Sequence, residues 1–580
     1  MVRGLVLLLA LGLAADARAA SAPAIEAAHG MVVSAQRLAS EAGIEMLKHG
    51  GNAVDAAVAV GYALAVVNPC CGNIGGGGFM TLHLADGRDV FLDFREAAPA
   101  LAAADMYLDA ASNPIANASL VGWKAVPVPG TVAGLEAALS RYGSLPRAIV
   151  MEPAIRLARD GFILTRGDTD ILDLRAAAFR TRPALAAVFL RPDGSALQPA
   201  DRMTQPELAA TLASIAQDGA PAFYNGRIPA LIEAAAREAG GIITAADFAA
   251  YRAVERAPLR CTYRGYVFVS APPPSSGGTI LCEILNVLEG YDLRALGFRS
   301  ARSVHLIVEA MRHAFLDRNT TLGDPAFVRN PLERLLSKEY AAAIRARIGV
   351  AATPSRDLGP GVAPHEKPET THYSVVDAAG NAVSVTYSIN GAFGALVMAG
   401  GFLLGDTMDD FTIKPGSANL FGLVQGAANV IAPAKRPLSS MAPTLVTKDG
   451  RIFLVLGSPG GPRIITITLL TALNVIDYGM ELQEAVDAPR FHHQFLPDEV
   501  FVEPHGISPD TATLLAGMGH KLTTQSPWGA AEAIAVGPQR ATQAGAASSG
   551  NDAAVSGRMR PGLFYGANDD RRPAGAAIGY

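Results

Sequence analysis

The stretch Thr370-Thr371-His372-Tyr373-Ser374-Val375-Val376-Asp377-Ala378-Ala379-Gly380-Asn381-Ala382-Val383-Ser384-Val385-Thr386-Tyr387-Ser388 decides how this 580-residue chain is read. Residues 372–376 and 382–388 are rich in β-branched and aromatic side chains. Asp377-Ala378-Ala379-Gly380 supplies a turn between them, so a β-hairpin opens directly at Thr370-Thr371. Immediately upstream, residues 351–369 are polar, carry Pro354, Pro360, Pro364 and Pro368, and show no periodicity, the composition of an exposed linker. A hydroxyl placed where a linker meets a buried strand can attack the preceding carbonyl, and hydrolysis of the resulting ester releases a new N-terminus. The free α-amino group, with an ordinary pKa of about 7.7–8.0, can then take the proton of the same residue's hydroxyl. On position alone, the plainer reading of Thr370-Thr371 as an ordinary strand opening is the stronger one.

Downstream, residues 444–456 read as a second hairpin around Lys448-Asp449-Gly450, and residues 462–478 as an apolar helix preceded by Gly457-Ser458-Pro459-Gly460-Gly461. Gly460 and Gly461 would let the backbone approach a ligand with N–H groups at a helix start, where the dipole favours negative charge, and Pro462 suits the first helical position. A simple strand-to-helix turn explains the same residues equally well. Upstream, helices are expected over 35–47 and 53–66, separated by Gly50-Gly51, and a hairpin over 79–84 and 89–94 around Asp86-Gly87. Helical stretches are expected to dominate up to about residue 348, interrupted by the stiff loop Ala271-Pro272-Pro273-Pro274-Ser275-Ser276-Gly277-Gly278. Near the end, residues 540–560 are Ala/Gly/Ser-rich and read as a mobile insertion before a last strand.

Half of the residues are apolar and 17% are charged, which places the chain among compact proteins large enough for several packed layers. A formal net charge of −5 gives no basic field for nucleic acid or anionic lipid, so a small-molecule partner is expected. Residues 1–19 have the form of a secretory signal: Arg3, an apolar run over 5–15, and Ala17-Arg18-Ala19. That run is shorter than the ~18 residues a membrane anchor needs, so the product is expected to be exported, periplasmic or secreted.

Cys70, Cys71, Cys261 and Cys282 are too few for a disulfide framework and lack zinc-ligand spacing. Adjacency makes a Cys70–Cys71 bond awkward, while Cys261 and Cys282 could pair in an oxidising compartment; all four are read as structural. His492-His493 lacks a metal-binding pattern, and residues 75–78 match neither phosphate-binding glycine motif, so no metal or cofactor is expected. Asp409-Asp410 and Ser439-Ser440 also admit plain readings as a loop-end acidic pair and a turn.

These motifs together resemble the γ-glutamyltransferases (γ-glutamyltranspeptidases) of the N-terminal-nucleophile hydrolase superfamily. The resemblance runs from about Ala27 to Tyr580 and is carried by Gly50-Gly51-Asn52-Ala53-Val54-Asp55-Ala56, Gly72-Asn73-Ile74-Gly75-Gly76-Gly77-Gly78-Phe79, Asp93-Phe94-Arg95-Glu96, Pro272-Pro273-Pro274-Ser275-Ser276-Gly277-Gly278, residues 370–376, Lys435-Arg436-Pro437-Leu438-Ser439-Ser440-Met441, and the Gly457–Gly461 segment. It implies an α+β fold, a four-layer αββα sandwich built from a large subunit (20–369) and a small catalytic subunit (370–580) cut from one precursor between Glu369 and Thr370 and associating as a heterodimer. Carried over by position, it implies Thr370 as nucleophile, Gly460 and Gly461 as oxyanion donors, and Ser388 in place of a Thr that helps position the nucleophile. Arg95, Ser439 and Ser440 would clamp a substrate α-carboxylate, which suits a guanidinium and two hydroxyls. Asn390 and Asp410 would take the α-ammonium. Thr407 stands where the family usually has a Gln or Glu for that ammonium, the stretch after Asn390 is two residues shorter, and Phe421 replaces a lid Tyr. The implied activity is transfer of the γ-glutamyl group of glutathione and related compounds to water, amino acids or dipeptides. The competing expectations are a glutaryl or cephalosporin acylase of the same superfamily, or an unprocessed binding protein.

Overall fold

The hairpin forms as its alternation requires. Thr371–Asp377 pairs antiparallel with Ala382–Ser388, Tyr373 opposite Val385 and Val375 opposite Val383. Side chains on a strand alternate between faces, and here both faces are covered. Tyr373, Val375, Val383, Val385 and Tyr387 join a large core with the helices Arg37–Lys48 and Ala53–Val67. Val376 and Ala382, on the opposite face, pack with Val269, Leu445, Val455 and Ile534 of a second sheet. The small polar residues on that face are tied across the gap: Ser374 Oγ donates to Glu532 O at 2.8 Å and Ser384 Oγ to Leu456 O at 3.1 Å.

The computed structural model describes residues 21–359, 370–538 and 559–580. The signal-like stretch 1–19, Glu369 and nearly all of the 540–560 insertion lie outside the described residues. One seven-stranded sheet runs Ala576–Gly579, Gly30–Ser34, Thr371–Asp377, Ala382–Ser388, Gly77–His83, Asp89–Phe94, Val254–Arg256. The other runs Ile25–Ala27, Phe564–Asn568, Glu532–Val536, Arg451–Leu456, Thr444–Lys448, Tyr266–Ser270, Leu259–Tyr263. Behind the second sheet lie the helices Gly277–Leu288, Ala301–Thr321 and Arg463–Ile476, which share its core. Helices therefore cover the outer face of each sheet, an αββα sandwich of the α+β class. Ala53–Val67 is buried along its whole length, and its start is held by Asn52 Oδ1, which accepts from Val54 N at 2.8 Å, while Asp55 Oδ2 accepts from Asn52 N at 2.8 Å.

His372 fills the space between the sheets. Its Nδ1 lies 2.8 Å from Thr386 Oγ1 and its Nε2 3.2 Å from Ser374 Oγ, and burial pushes its pKa down to about 3, so it stays neutral. A Cβ on Gly457 would fall 2.3 Å from this ring. Gly457→Ala is expected to overpack the inter-sheet layer at a cost of about 1–3 kcal/mol, read as a lowered melting midpoint. An unchanged midpoint would show that the layer can relax.

Four differences from the sequence reading have local causes. Residues 254–270, assigned to a mainly helical region, form three strands. The turn between the last two of them, at Arg264-Gly265, has both φ values positive (49° and 81°), and such turns match the strand twist. The Gly/Ala-rich insertion is followed by two strands where one was expected. Cys70 and Cys71 are joined by a disulfide despite their adjacency: the N–H groups of Cys71 and Gly72 both return to Asn68 O, and this tight buried turn holds the two sulfurs together. Pro462 stands at the cap, one residue outside the helix Arg463–Ile476. Cys261 and Cys282 are also joined, linking a strand to the helix Gly277–Leu288.

Candidate active site

Thr370 stands one residue before a strand that is paired on both sides, and it is 5% exposed. The last ladder pair sets Thr371 opposite Tyr387, so the next step brings Thr370 level with Ser388. Both line one pocket together with Arg95, Asn390, Asp410, Ser439, Ser440 and Gly461. With Phe421, which lines it too, nine of the twelve site residues singled out from the sequence thus converge on a single cavity.

The Ser439-Ser440 pair is held by the proline-rich loop. Ser439 N donates to Pro274 O at 2.9 Å, Ser276 N and Oγ donate to Ser439 O at 2.8 and 2.7 Å, and Ser275 Oγ donates to Met441 O at 2.6 Å. The stiff segment thereby becomes the template that orients two hydroxyls. Arg95 follows the strand Asp89–Phe94 and is 1% exposed. Its Nε donates to Pro437 O at 3.2 Å, Nη1 to Glu96 Oε2 at 3.2 Å, and Nη2 to Asp410 Oδ2. Asp410 closes the short helical turn Thr407–Asp410, whose carbonyl end is fixed by Gln425 Nε2 and Asn429 Nδ2 donating to Asp410 O at 3.0 and 2.6 Å. Burial raises the Asp410 pKa above the ordinary carboxylate value, with Arg95 and Arg318 opposing the rise.

Asn390 takes a left-handed backbone (φ 72°) just beyond Ser388, whose Oγ accepts from Asn390 N at 2.8 Å. Asp406 latches the following loop: Asn390 Nδ2 donates to its carbonyl at 3.3 Å and Gly391 N to its Oδ1 at 2.8 Å. Gly461 lines the pocket with φ 55°, and Gly460 stands behind it with φ 135°. Among the described residues neither backbone N–H donates to another backbone carbonyl, which leaves two donors at a helix start. The Phe421 ring covers Gly461, where an added Cβ would fall 2.8 Å from it, and Gln494 Nε2 donates to Phe421 O at 3.1 Å. Glu369 lies outside the described residues.

Thr407, expected among the ammonium contacts, does not line this pocket. Its Oγ1 donates to Glu96 Oε1 at 2.7 Å, because its short side chain reaches only the carboxylate behind Arg95. Sequence reasoning missed Glu96 as a partner, and it also missed Arg318. That arginine lines the pocket, fully buried, with Nη2 donating to Ser440 Oγ at 2.9 Å and Nε to Ser276 Oγ at 3.0 Å; burial pulls its pKa down to about 10. A signal existed. Arg318 occupies the apolar stripe of the helix Ala301–Thr321, in step with Val304, Met311, Ala314 and Phe315, a place where an unpartnered charge would be costly.

The arrangement sets a cationic, hydroxyl-rich wall and one carboxylate about a strand-end hydroxyl, a layout for holding a zwitterionic head group near a nucleophile. The γ-glutamyltranspeptidase family model matches residues 39–557. The chain belongs to the γ-glutamyltranspeptidase family. It is 53% identical over 568 residues to a glutathione hydrolase proenzyme of Pseudomonas sp. (strain A14), covering 97% of this chain and 96% of the relative. A glutathione hydrolase proenzyme of Escherichia coli (strain K12) is 46% identical over 563 residues, with 96% and 93% covered. Among solved structures, a cephalosporin acylase from Bacillus halodurans superposes with a TM-score of 0.81 at 26% identity, covering 97% of this chain and 98% of that one. This member of the γ-glutamyltranspeptidase family has, among the described residues, no helix long and apolar enough to cross a membrane.

Proposed function

We propose that the protein is a γ-glutamyltransferase and glutathione hydrolase that is exported as a precursor and cuts itself between Glu369 and Thr370. In the cut, Thr370 Oγ attacks the Glu369 carbonyl carbon, the peptide nitrogen leaves as the free α-amino group and takes the hydroxyl proton, and water then hydrolyses the ester, releasing the Glu369 carboxylate and restoring the Thr370 hydroxyl. The large and small chains stay together as a heterodimer. In turnover that amino group takes the hydroxyl proton as Thr370 Oγ attacks the γ-carbonyl of the donor. The oxyanion is met by the N–H groups of Gly460 and Gly461. The C–N bond breaks, the amine leaves with the proton, and a γ-glutamyl ester of Thr370 remains for water or an acceptor amine to resolve. Ser388 positions the nucleophile.

The observation that carries this reading is that Arg95, Ser439, Ser440, Asn390 and Asp410 share one pocket with Thr370. Arg95 and the two serines take the α-carboxylate, and Asn390 and Asp410 take the α-ammonium. In the structure Arg95 and Asp410 pair with each other, so a zwitterion entering between them replaces one charge pair with two. Thr407 acts one step back, through Glu96.

The rival acylase reading draws support from the position of Thr407, which brings no charged or amide group to the ammonium side. Asp410 opposes it. A glutaryl group offers a carboxylate without an ammonium, so its carboxylate and Asp410 would compete for the same guanidinium. A γ-glutamyl anilide is therefore expected to be cleaved at least about 10²-fold faster than its glutaryl counterpart, with and without an acceptor dipeptide. Preference for the glutaryl compound would reverse the assignment of the head-group site.

A further inference from the structure

A second cluster of chemistry-bearing side chains lies away from the substrate pocket. His305 and Glu309 stand one turn apart on the helix Ala301–Thr321, and His520 follows the helix Pro509–Gly517. All three are buried, and one ligand atom from each lies within 4.8 Å of the other two. His305 Nδ1 faces His520 Nε2 at 2.8 Å. His305 Nε2 is 3.1 Å from Gly349 O, which can only accept, so that nitrogen carries the proton and Nδ1 presents a lone pair. Glu309 is held weakly by Thr353 N, 3.3 Å from each oxygen, and by Arg312 Nε at 3.1 Å.

We propose that His305, Glu309 and His520 form a binding site for a divalent transition-metal ion of the zinc class. Two imidazoles and a carboxylate are a recurrent zinc donor set, and two ligands one helical turn apart on one face are a recurrent way to present them. One further observation fits: a metal-bound histidine ordinarily donates its other N–H to a carbonyl, as His305 does to Gly349. Metal entry requires His520 to shift its proton from Nε2 to Nδ1, a buried nitrogen with no hydrogen-bond partner among the described residues. His520, one of the three ligands, also lines a cavity with Thr353, His493, Asp498 and Glu499. Tetrahedral coordination at about 2.0–2.1 Å needs the two nitrogens to part to about 3.3 Å, a movement of roughly half an ångström.

Arg312 pairs with Glu309 and with Asp498, and Lys521, which lines the same cavity as His520, pairs with Glu499, so three carboxylates face two cationic side chains around the site. The site also has a structural meaning. His305 and Glu309 precede Thr370 in the chain and His520 follows it, so the ion would bridge the two pieces of a processed protein. Their contact already includes Ala352 N donating to Met518 O at 2.7 Å.

The test uses the full-length purified protein, stripped with a chelator and titrated with Zn²⁺ and, separately, Co²⁺. One equivalent of Zn²⁺ should bind with a Kd below about 1 μM, Co²⁺ should give the intense visible absorption of a four-coordinate site, and Zn²⁺ should raise the melting midpoint. His520→Asn and His305→Asn should lose all three signals while still turning over the γ-glutamyl anilide, which certifies their folding. His493→Asn should keep them. Wild-type protein that binds no stoichiometric Zn²⁺, or binding that survives His520→Asn, overturns the proposal without touching the assignment of the Thr370 pocket.

Discussion

Thr370→Ala is expected to leave the protein as a single band near 60 kDa on a denaturing gel, with turnover of a γ-glutamyl anilide reduced by about 10⁴-fold or more. Both losses have one cause. In the mechanism proposed above, the hydroxyl that attacks the Glu369 carbonyl is the hydroxyl that later attacks the substrate, and in the uncut chain Thr370 N is an amide nitrogen with no basic lone pair to take its proton. Folding should survive, because the strand Thr371–Asp377 keeps its ladders with Gly30–Ser34 and Ala382–Ser388 on either side. Thr370→Ser retains a hydroxyl at the same place and should split and turn over, more slowly. A Thr370→Ala protein that divides into two bands, or that turns over at more than a small fraction of the wild-type rate, would remove Thr370 from the mechanism.

Arg95→Ala should have the second largest effect, a fall in kcat/KM of about 10²–10⁴-fold. The side chain is almost fully buried and divides its donors among Pro437 O, Glu96 and Asp410. Its removal deletes the guanidinium that matches a carboxylate and leaves Glu96 and Asp410 buried without it, a situation that typically costs about 3–5 kcal/mol. Burial already raises the pKa of both acids and Arg95 opposes that rise, so in the variant both carboxyls should take up protons at a higher pH than in the wild type. Asp410 must be ionised to accept an ammonium. The acid limb of the kcat/KM profile should therefore move upward in pH in Arg95→Ala as well as the maximum falling. Arg95→Lys restores the charge without the planar fork and should lie between the two. A loss below tenfold with an unmoved acid limb would take Arg95 out of the head-group site.

Much of the fold was legible because its central elements obey short-range rules. The hairpin after Thr370 is rich in β-branched and aromatic residues about an Asp-Ala-Ala-Gly turn, the helix after Gly461 is strongly apolar, and Gly50-Gly51 separates two helices. The strand Gly30–Ser34 escaped because it is short and takes its partners from far along the chain, Val32 lying opposite Val375 on one side and Ile578 on the other. Residues 254–270 escaped because strands of three to five residues among helices carry little periodicity. In the pocket, the residues named from motifs converge, whereas Arg318 and Glu96 required knowledge of who faces whom. Arg318 belongs to a helix more than a hundred residues from Ser440, and no local pattern joins them. Thr407 was misplaced for the same reason: its position in the chain was read correctly, and its reach was not.

The order of strands bears on what a cut before Thr370 does to the molecule. In one sheet, strands from before and after that residue run after, before, after, after, before, before, before; in the other, the four strands from the later part are flanked on both sides by strands from the earlier part. Neither piece owns a sheet, and each would be left with open ladder edges if the other departed. A cut there would change the covalent graph of the protein while leaving both sheets shared between the two pieces. The two chains could then exchange with those of another molecule only by passing through an unfolded state, so the lifetime of the assembled pair would be set by an unfolding barrier and not by a dissociation constant.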